Sequence, residues 1–174
     1  MQKPVILKVK DKYPVWGNNT FIAPNATIVG DVVIGSDCSI WFNAVIRGDV
    51  NSIKIGNKTN IQDGVVIHAT YQKASTVIGD NVSVGHNALV HGCTLNNYVL
   101  VGMAAIIMDH AVVEEFVIIA AGAVVLENTV CESGYLYAGM PAKKIKPLTE
   151  QQIALLKKLP DNYVMYSYWF KEIP

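Results

Sequence analysis

The chain has 174 residues, no formal net charge, 51% hydrophobic residues and only 16% charged ones, against a usual charged share of about 25%. The neutral balance argues against nucleic acid or an acidic membrane surface as partner. The longest apolar stretch, Phe116 to Leu126, falls well short of the roughly 20 residues that a bilayer-spanning helix needs.

Residues 1–14 read as an N-terminal segment. Lys3, Lys8, Lys10 and Lys12 are not followed by the apolar core of a secretory leader. From Trp16 onward an apolar marker recurs every six residues: Ile22, Ile28, Ile34, Ile40, Ile46, then Ile55, Ile61, Ile67, then Ile78, Val84, Val90, and after one five-residue step Leu95, Val101, Ile107, Val113, Ile119 and Val125. Four residues after a marker there is usually a small or branched residue, as at Ala26, Cys38, Ala88 and Ala105. Valine and isoleucine number 41 against 10 leucines, a bias toward strands. No α-helix has a period of six, and a simple strand has a period of two. A short strand plus a corner does, and three such sides close a triangular coil. The 18 markers predict about six coils over residues 15–130, with the markers pointing inward. Two intervals, Ile46 to Ile55 and Ile67 to Ile78, are longer and predict loops at corners. Residues 131–148, with Gly134, Gly139, Pro141 and Pro147, predict a linker. Thr149-Glu150-Gln151-Gln152 is a capping box that opens a C-terminal helical segment over 149–171, with Pro160 dividing it in two.

The chemistry-bearing residues fall in register on this prism. When the sides are named A, B and C in rotation from Trp16, Ile46, Ile67 and Val90 all begin side C. The residues after them are Arg47, the only arginine, His68 and His91. They stack in one column, about 5 Å per step, so His68 and His91 are able to share one ion, at Zn–N distances of about 2.0–2.1 Å. The hydrophobic repeat does not require histidine at either place; corner histidines bonded to carbonyls are the plain alternative. His86 belongs to side B, above Asp63, with Gln62 beside it. It lies too far along the corner to reach the same ion within one chain. A second copy would supply it, which predicts a homotrimer with three interfacial metal sites and closed cyclic symmetry. His110 reads as a turn residue. The three cysteines, Cys38, Cys93 and Cys131, are odd in number and far apart, which fits reduced, packed thiols in a cytoplasmic protein.

Arg47-Gly48-Asp49, Gln62-Asp63, His68, Val84-Gly85-His86 and His91-Gly92-Cys93 together resemble the signature of the γ-class carbonic anhydrases, over about residues 15–170. The resemblance implies a left-handed parallel β-helix with a C-terminal helix, assembled as a homotrimer. It implies His68, His86 and His91 as ligands of Zn2+ (or Fe2+ or Co2+) and reversible hydration of CO2 to bicarbonate as the reaction. It further implies that Gln62 orients the reacting water, that Tyr163 approaches the site from the tail, and that Asp63 supports a ligand histidine. Arg47 and Asp49 would form an ion pair between subunits. The loops around Val50-Asn51-Ser52 and Ala69–Thr76 carry no acidic residue to shuttle the proton, which implies weak turnover. Two other readings use the same prism: a CoA-dependent hexapeptide-repeat acyltransferase, to which Gly139-Met140-Pro141-Ala142-Lys143 is similar, and a non-catalytic metal-binding trimer.

Overall fold

The computed structural model describes residues 3–171. It is a left-handed parallel β-helix closed by one C-terminal helix, Glu150–Lys171. Each side of the prism is a ladder of short parallel strands. Side A registers Trp16, Ile34, Ile55, Ile78, Leu95, Val113 and Cys131. Side B registers Ile22, Ile40, Ile61, Val84, Val101, Ile119 and Tyr137. Side C registers Ile6, Ile28, Ile46, Ile67, Val90, Ile107 and Val125.

The stack therefore has seven rungs per side, one more than the aliphatic markers predict. At the far end the six-residue period runs on through Cys131 and Tyr137, which occupy marker positions without being aliphatic. Both are buried, and the Tyr137 hydroxyl meets its polar requirement by accepting a hydrogen bond from the Glu132 N–H at 2.9 Å. At the near end Val5–Leu7 adds a first rung on side C. Val5–Leu7 of the N-terminal segment and part of the expected linker thus belong to the prism. Tyr135–Ala138 is its last side B strand, and Lys143–Pro147 returns antiparallel to it.

The markers fill the interior as the period requires. From Ile28 to Val125 every one is buried; Ile22 is partly covered, and Trp16, near the open end of the stack, is exposed. The five-residue step is explained by Cys93, which takes the small-residue slot that Thr94 was expected to fill. Many corners hold a residue with left-handed φ, and asparagine or aspartate occupies Asn19, Asp37, Asn43, Asn81, Asn87 and Asn128, the residue types that tolerate that conformation. Of the two expected loops only the second is one: Thr70 and Ala74 bridge across a turn. The first is continuous strand. Val45–Ile55 runs around the corner and stays paired with Thr27–Ile34, the register shifting between Gly30 and Val32.

Pro160 does not divide the C-terminal helix, which is continuous through it. Proline costs a helix about 3 kcal/mol in isolation, and here packing compensates. Leu156, Pro160 and Ser167 are buried, and Phe170 sits 5.4 Å from Trp41, 5.6 Å from Phe21 and 5.7 Å from Phe42. Asp161 pairs with Lys58 at 3.1 Å. The start is capped as read: the Thr149 N–H donates to Gln152 Oε1 at 2.9 Å, and the Gln152 N–H donates to Thr149 Oγ1 at 3.2 Å. The helix covers the lower part of side B, at the level of Trp41 and Lys58.

Candidate metal centre

Side C carries a continuous chain of polar contacts. His68 and His91 are directly in register on neighbouring strands. His68 Nδ1 and His91 Nε2 face each other at 3.1 Å. Two nitrogens bonded to one tetrahedral zinc stand roughly 3.3 Å apart, so this pair fits a shared ion. The other nitrogen of each ring is held by a carboxylate: His68 Nε2 lies 3.0 Å from Asp49 Oδ1, and His91 Nδ1 lies 2.6 Å from Asp109 Oδ1. Thr76, wholly buried, fixes the two rungs to each other. Its hydroxyl donates to the His68 carbonyl at 2.6 Å and accepts the Gly92 N–H at 2.9 Å.

Arg47 pairs with Asp49. The pairing was expected between subunits; in the single chain it is local, because residues two apart on a strand project from the same face. Burial works to raise the Asp49 carboxyl, but hydrogen bonds from His68 and Arg47 and the Arg47 charge hold it below its ordinary value. Burial likewise opposes ionisation of Asp109, and hydrogen bonds from Thr70 and His91 outweigh it. Both carboxyls are therefore anionic acceptors toward the imidazoles.

The next corner, on side B, carries the other half of the expected constellation. His86 Nδ1 lies 2.9 Å from Asp63 Oδ2. Gln62 is buried, and its Nε2 donates to Asn60 Oδ1 at 3.1 Å; Asn60 in turn donates to Ser83 Oγ at 2.7 Å. Tyr163 packs edge-on against Trp41, ring centroids 5.9 Å apart. Burial first, then the charges of Tyr166 and Asp63, raise its phenol above the ordinary value.

The fold thus gathers Arg47, Asp49, His68 and His91 at one edge and Gln62, Asp63 and His86 at another, while Tyr163 packs against Trp41 and Tyr166. It does not bring His86 to the His68–His91 pair. Among the described residues no three His, Cys, Asp or Glu side chains converge on one ion position within the chain. His110 is an exposed corner residue with φ 60°. Sequence reasoning missed Asp109 and Thr70. The signal was available: Asp109 stands two residues after Ile107, as Gly92 does after Val90, so it occupies the same corner one rung above. A pocket of about 350 Å3 opens there, with Leu89, Ile106 and Met108 as its apolar wall and His91, Asp109 and Glu127 as its polar one.

Comparison with known proteins bears on the family and the fold. The family profile described as Bacterial transferase hexapeptide (six repeats) matches residues 17–48. The chain is 43% identical to the mitochondrial Gamma carbonic anhydrase 2 of Arabidopsis thaliana over 91% of its own length, and spans 59% of that relative. It is 46% identical to the Probable carbonic anhydrase of Methanocaldococcus jannaschii, covering 86% of this chain and 93% of the relative. Among solved structures, a putative acetyltransferase from Bacillus cereus superposes with a TM-score of 0.95 at 35% identity, covering 99% of this chain and all of that one.

Proposed function

The chain belongs to the γ-class carbonic anhydrase family, and from that premise we propose that it catalyses reversible hydration of CO2 at metal sites formed between copies of itself. The observation that carries this reading is the facing pair His68 Nδ1 and His91 Nε2, 3.1 Å apart on adjacent rungs, with His86 held by Asp63 on the next corner. Three prisms around a threefold axis juxtapose one chain's side C edge with its neighbour's side B edge, and each interface then has two histidines from one subunit and one from the other. Zinc suits three neutral imidazoles with a position left open; Fe2+ and Co2+ accept the same donors. When bound, the metal supplies Lewis acidity that makes water ionisable near neutral pH.

The chain's own residues then bind, orient and exclude. Asp63 fixes the tautomer and direction of His86, as Asp49 does for His68. Gln62, with its Nε2 committed to Asn60, has its carbonyl oxygen left to orient the reacting water. Leu89, Ile106 and Met108 offer apolar surface to a small apolar substrate beside His91. Arg47 and Asp49 lie where subunits would meet, and Tyr163 stands near enough to Asp63 for the carboxylate charge to act on its phenol. The released proton has no acidic side chain waiting on the turn after His68, so buffer must carry it away. Turnover is accordingly slow and rises with buffer concentration. No helix among the described residues is long and apolar enough to cross a membrane, and three buried free thiols support a reducing, cytoplasmic setting.

The test is metal analysis followed by stopped-flow CO2 hydration. About one metal per chain, with hydration that accelerates with imidazole buffer and is lost in His91→Ala, is the expected result. Chelator-insensitive protein without bound metal would overturn the reading. The repeat profile and the Bacillus cereus structure favour a second reading, transfer of an acyl group from CoA on the same prism. It predicts acyl-CoA turnover that survives removal of metal.

A further inference from the structure

Asp109 and Thr70 form a brace behind His91. Asp109 is buried, with 6% of its surface exposed, in a molecule whose carboxylates are otherwise mostly at the surface. Its Oδ1 lies 2.6 Å from His91 Nδ1, and its Oδ2 accepts the Thr70 hydroxyl at 2.5 Å. The two oxygens are thus used on opposite sides. A carboxylate has no proton to give, so His91 Nδ1 must be the donor, and the lone pair of the imidazole is left on Nε2. That is the nitrogen facing His68. The corner is shaped for this contact: a Cβ on Gly92 would stand 2.3 Å from Asp109 Oδ1, and Gly92 has φ +58°. Any side chain at Gly92 would occupy the space through which the carboxylate reaches the ring. Thr70 belongs to the turn that follows His68, and the Asn51 side-chain amide donates to its carbonyl at 3.2 Å. The brace therefore spans three rungs and ties the turn after one histidine to the ring of the other.

We infer that Asp109, held in place by Thr70, is the positioning residue that sets the tautomer and orientation of His91 for metal binding. The inference rests on the metal-site reading given above. Removing a hydrogen-bonded carboxylate behind a ligand histidine typically costs 10–100-fold in metal affinity. Asparagine at 109 is free to turn its amide toward Nδ1 and reverse the tautomer, which moves the proton to Nε2.

The experiment is chelator-competition measurement of the Zn2+ dissociation constant, with the absorption spectrum of the Co2+-loaded protein as a second readout and light scattering to establish that each variant assembles as the wild type does. Asp109→Asn is expected to weaken zinc about 10–100-fold and to alter the Co2+ spectrum. Thr70→Val is expected to weaken it less, in the same direction, and Thr70→Ser to restore wild-type affinity. His91→Ala serves as the reference for loss of a ligand. If the wild type binds zinc, His91→Ala does not, and both Asp109→Asn and Thr70→Val bind like wild type with an unchanged Co2+ spectrum, the brace has no such role and the inference falls alone. If the wild type binds no zinc, the site reading falls and takes the inference with it. Should Asp109→Asn fail to assemble, the comparison of Thr70→Val with Thr70→Ser decides the matter.

Discussion

At the residue scale, the side chains that interrupt the repeat divide into those facing the core and those facing an edge. Cys93 is a core residue although it follows His91-Gly92. It is 1% exposed, and burial pushes its thiol up to about 12. Burial also carries Cys131 to about 12 and, for Cys38, desolvation outweighs the backbone hydrogen bonds and gives about 11. A free thiol in the unfolded chain titrates near 8.5. The folded state therefore retains these protons where the unfolded state loses them, so their contribution is full below about pH 8.5 and is lost as pH rises toward the folded values. The urea midpoint is expected to fall between about pH 8 and pH 10, more steeply in wild type than in Cys131→Ala, and iodoacetamide is expected to label the cysteines only after unfolding. Equal pH slopes in the two proteins would contradict this account. The histidine column was legible in the sequence because the repeat assigns every residue a side and a rung. Asp109 was legible only in part: the repeat places it one rung above Gly92, but only the folded corner shows that Gly92 leaves room for its carboxylate.

At the element scale, the six-residue period identified the strands and failed where its residue classes changed. Cys131 and Tyr137 sit in marker positions and extend the prism, yet a pattern defined on aliphatic residues ends at Val125. The broken spacing after Ile46 predicts a loop, whereas the backbone there stays paired through a shift in register. Local propensity predicts a helix break at Pro160; the contacts of Phe170, on the same helix, with Trp41 and Phe21, far away in sequence, override it. Those contacts have no local signature. Within the ladders the energetics are those of a dry core. Ile107 is completely buried between Val90 and Val125, and an Ile107→Ala change is expected to cost about 2–5 kcal/mol in chemical denaturation. A loss under about 1 kcal/mol would mean that the rungs collapse around the cavity and do not act as a rigid stack. The proposed site depends on that rigidity, since His68 and His91 keep their 3.1 Å spacing through the register of the rungs below and above.

At the scale of the whole molecule, the prism has two incomplete edges. One presents His68 and His91, and the other presents His86, Asp63 and Gln62. Neither is a metal site among the described residues of a single chain, and a closed ring of three would complete both at every interface. This arrangement makes complementation between defective chains the most direct test of the proposed function. A His86→Ala chain has an intact side C edge, and a His91→Ala chain has an intact side B edge. Each variant alone is expected to assemble as a trimer and to retain no tightly bound zinc after dialysis. Unfolded together, mixed and refolded, they are expected to form mixed trimers, each of which has one interface with both intact edges and so recovers one zinc. Metal analysis of trimers carrying two different affinity tags reads this directly. Recovery of about one zinc per mixed trimer is the predicted result; mixed trimers as empty as their parents, or full zinc binding by His86→Ala alone, would contradict a site shared between subunits.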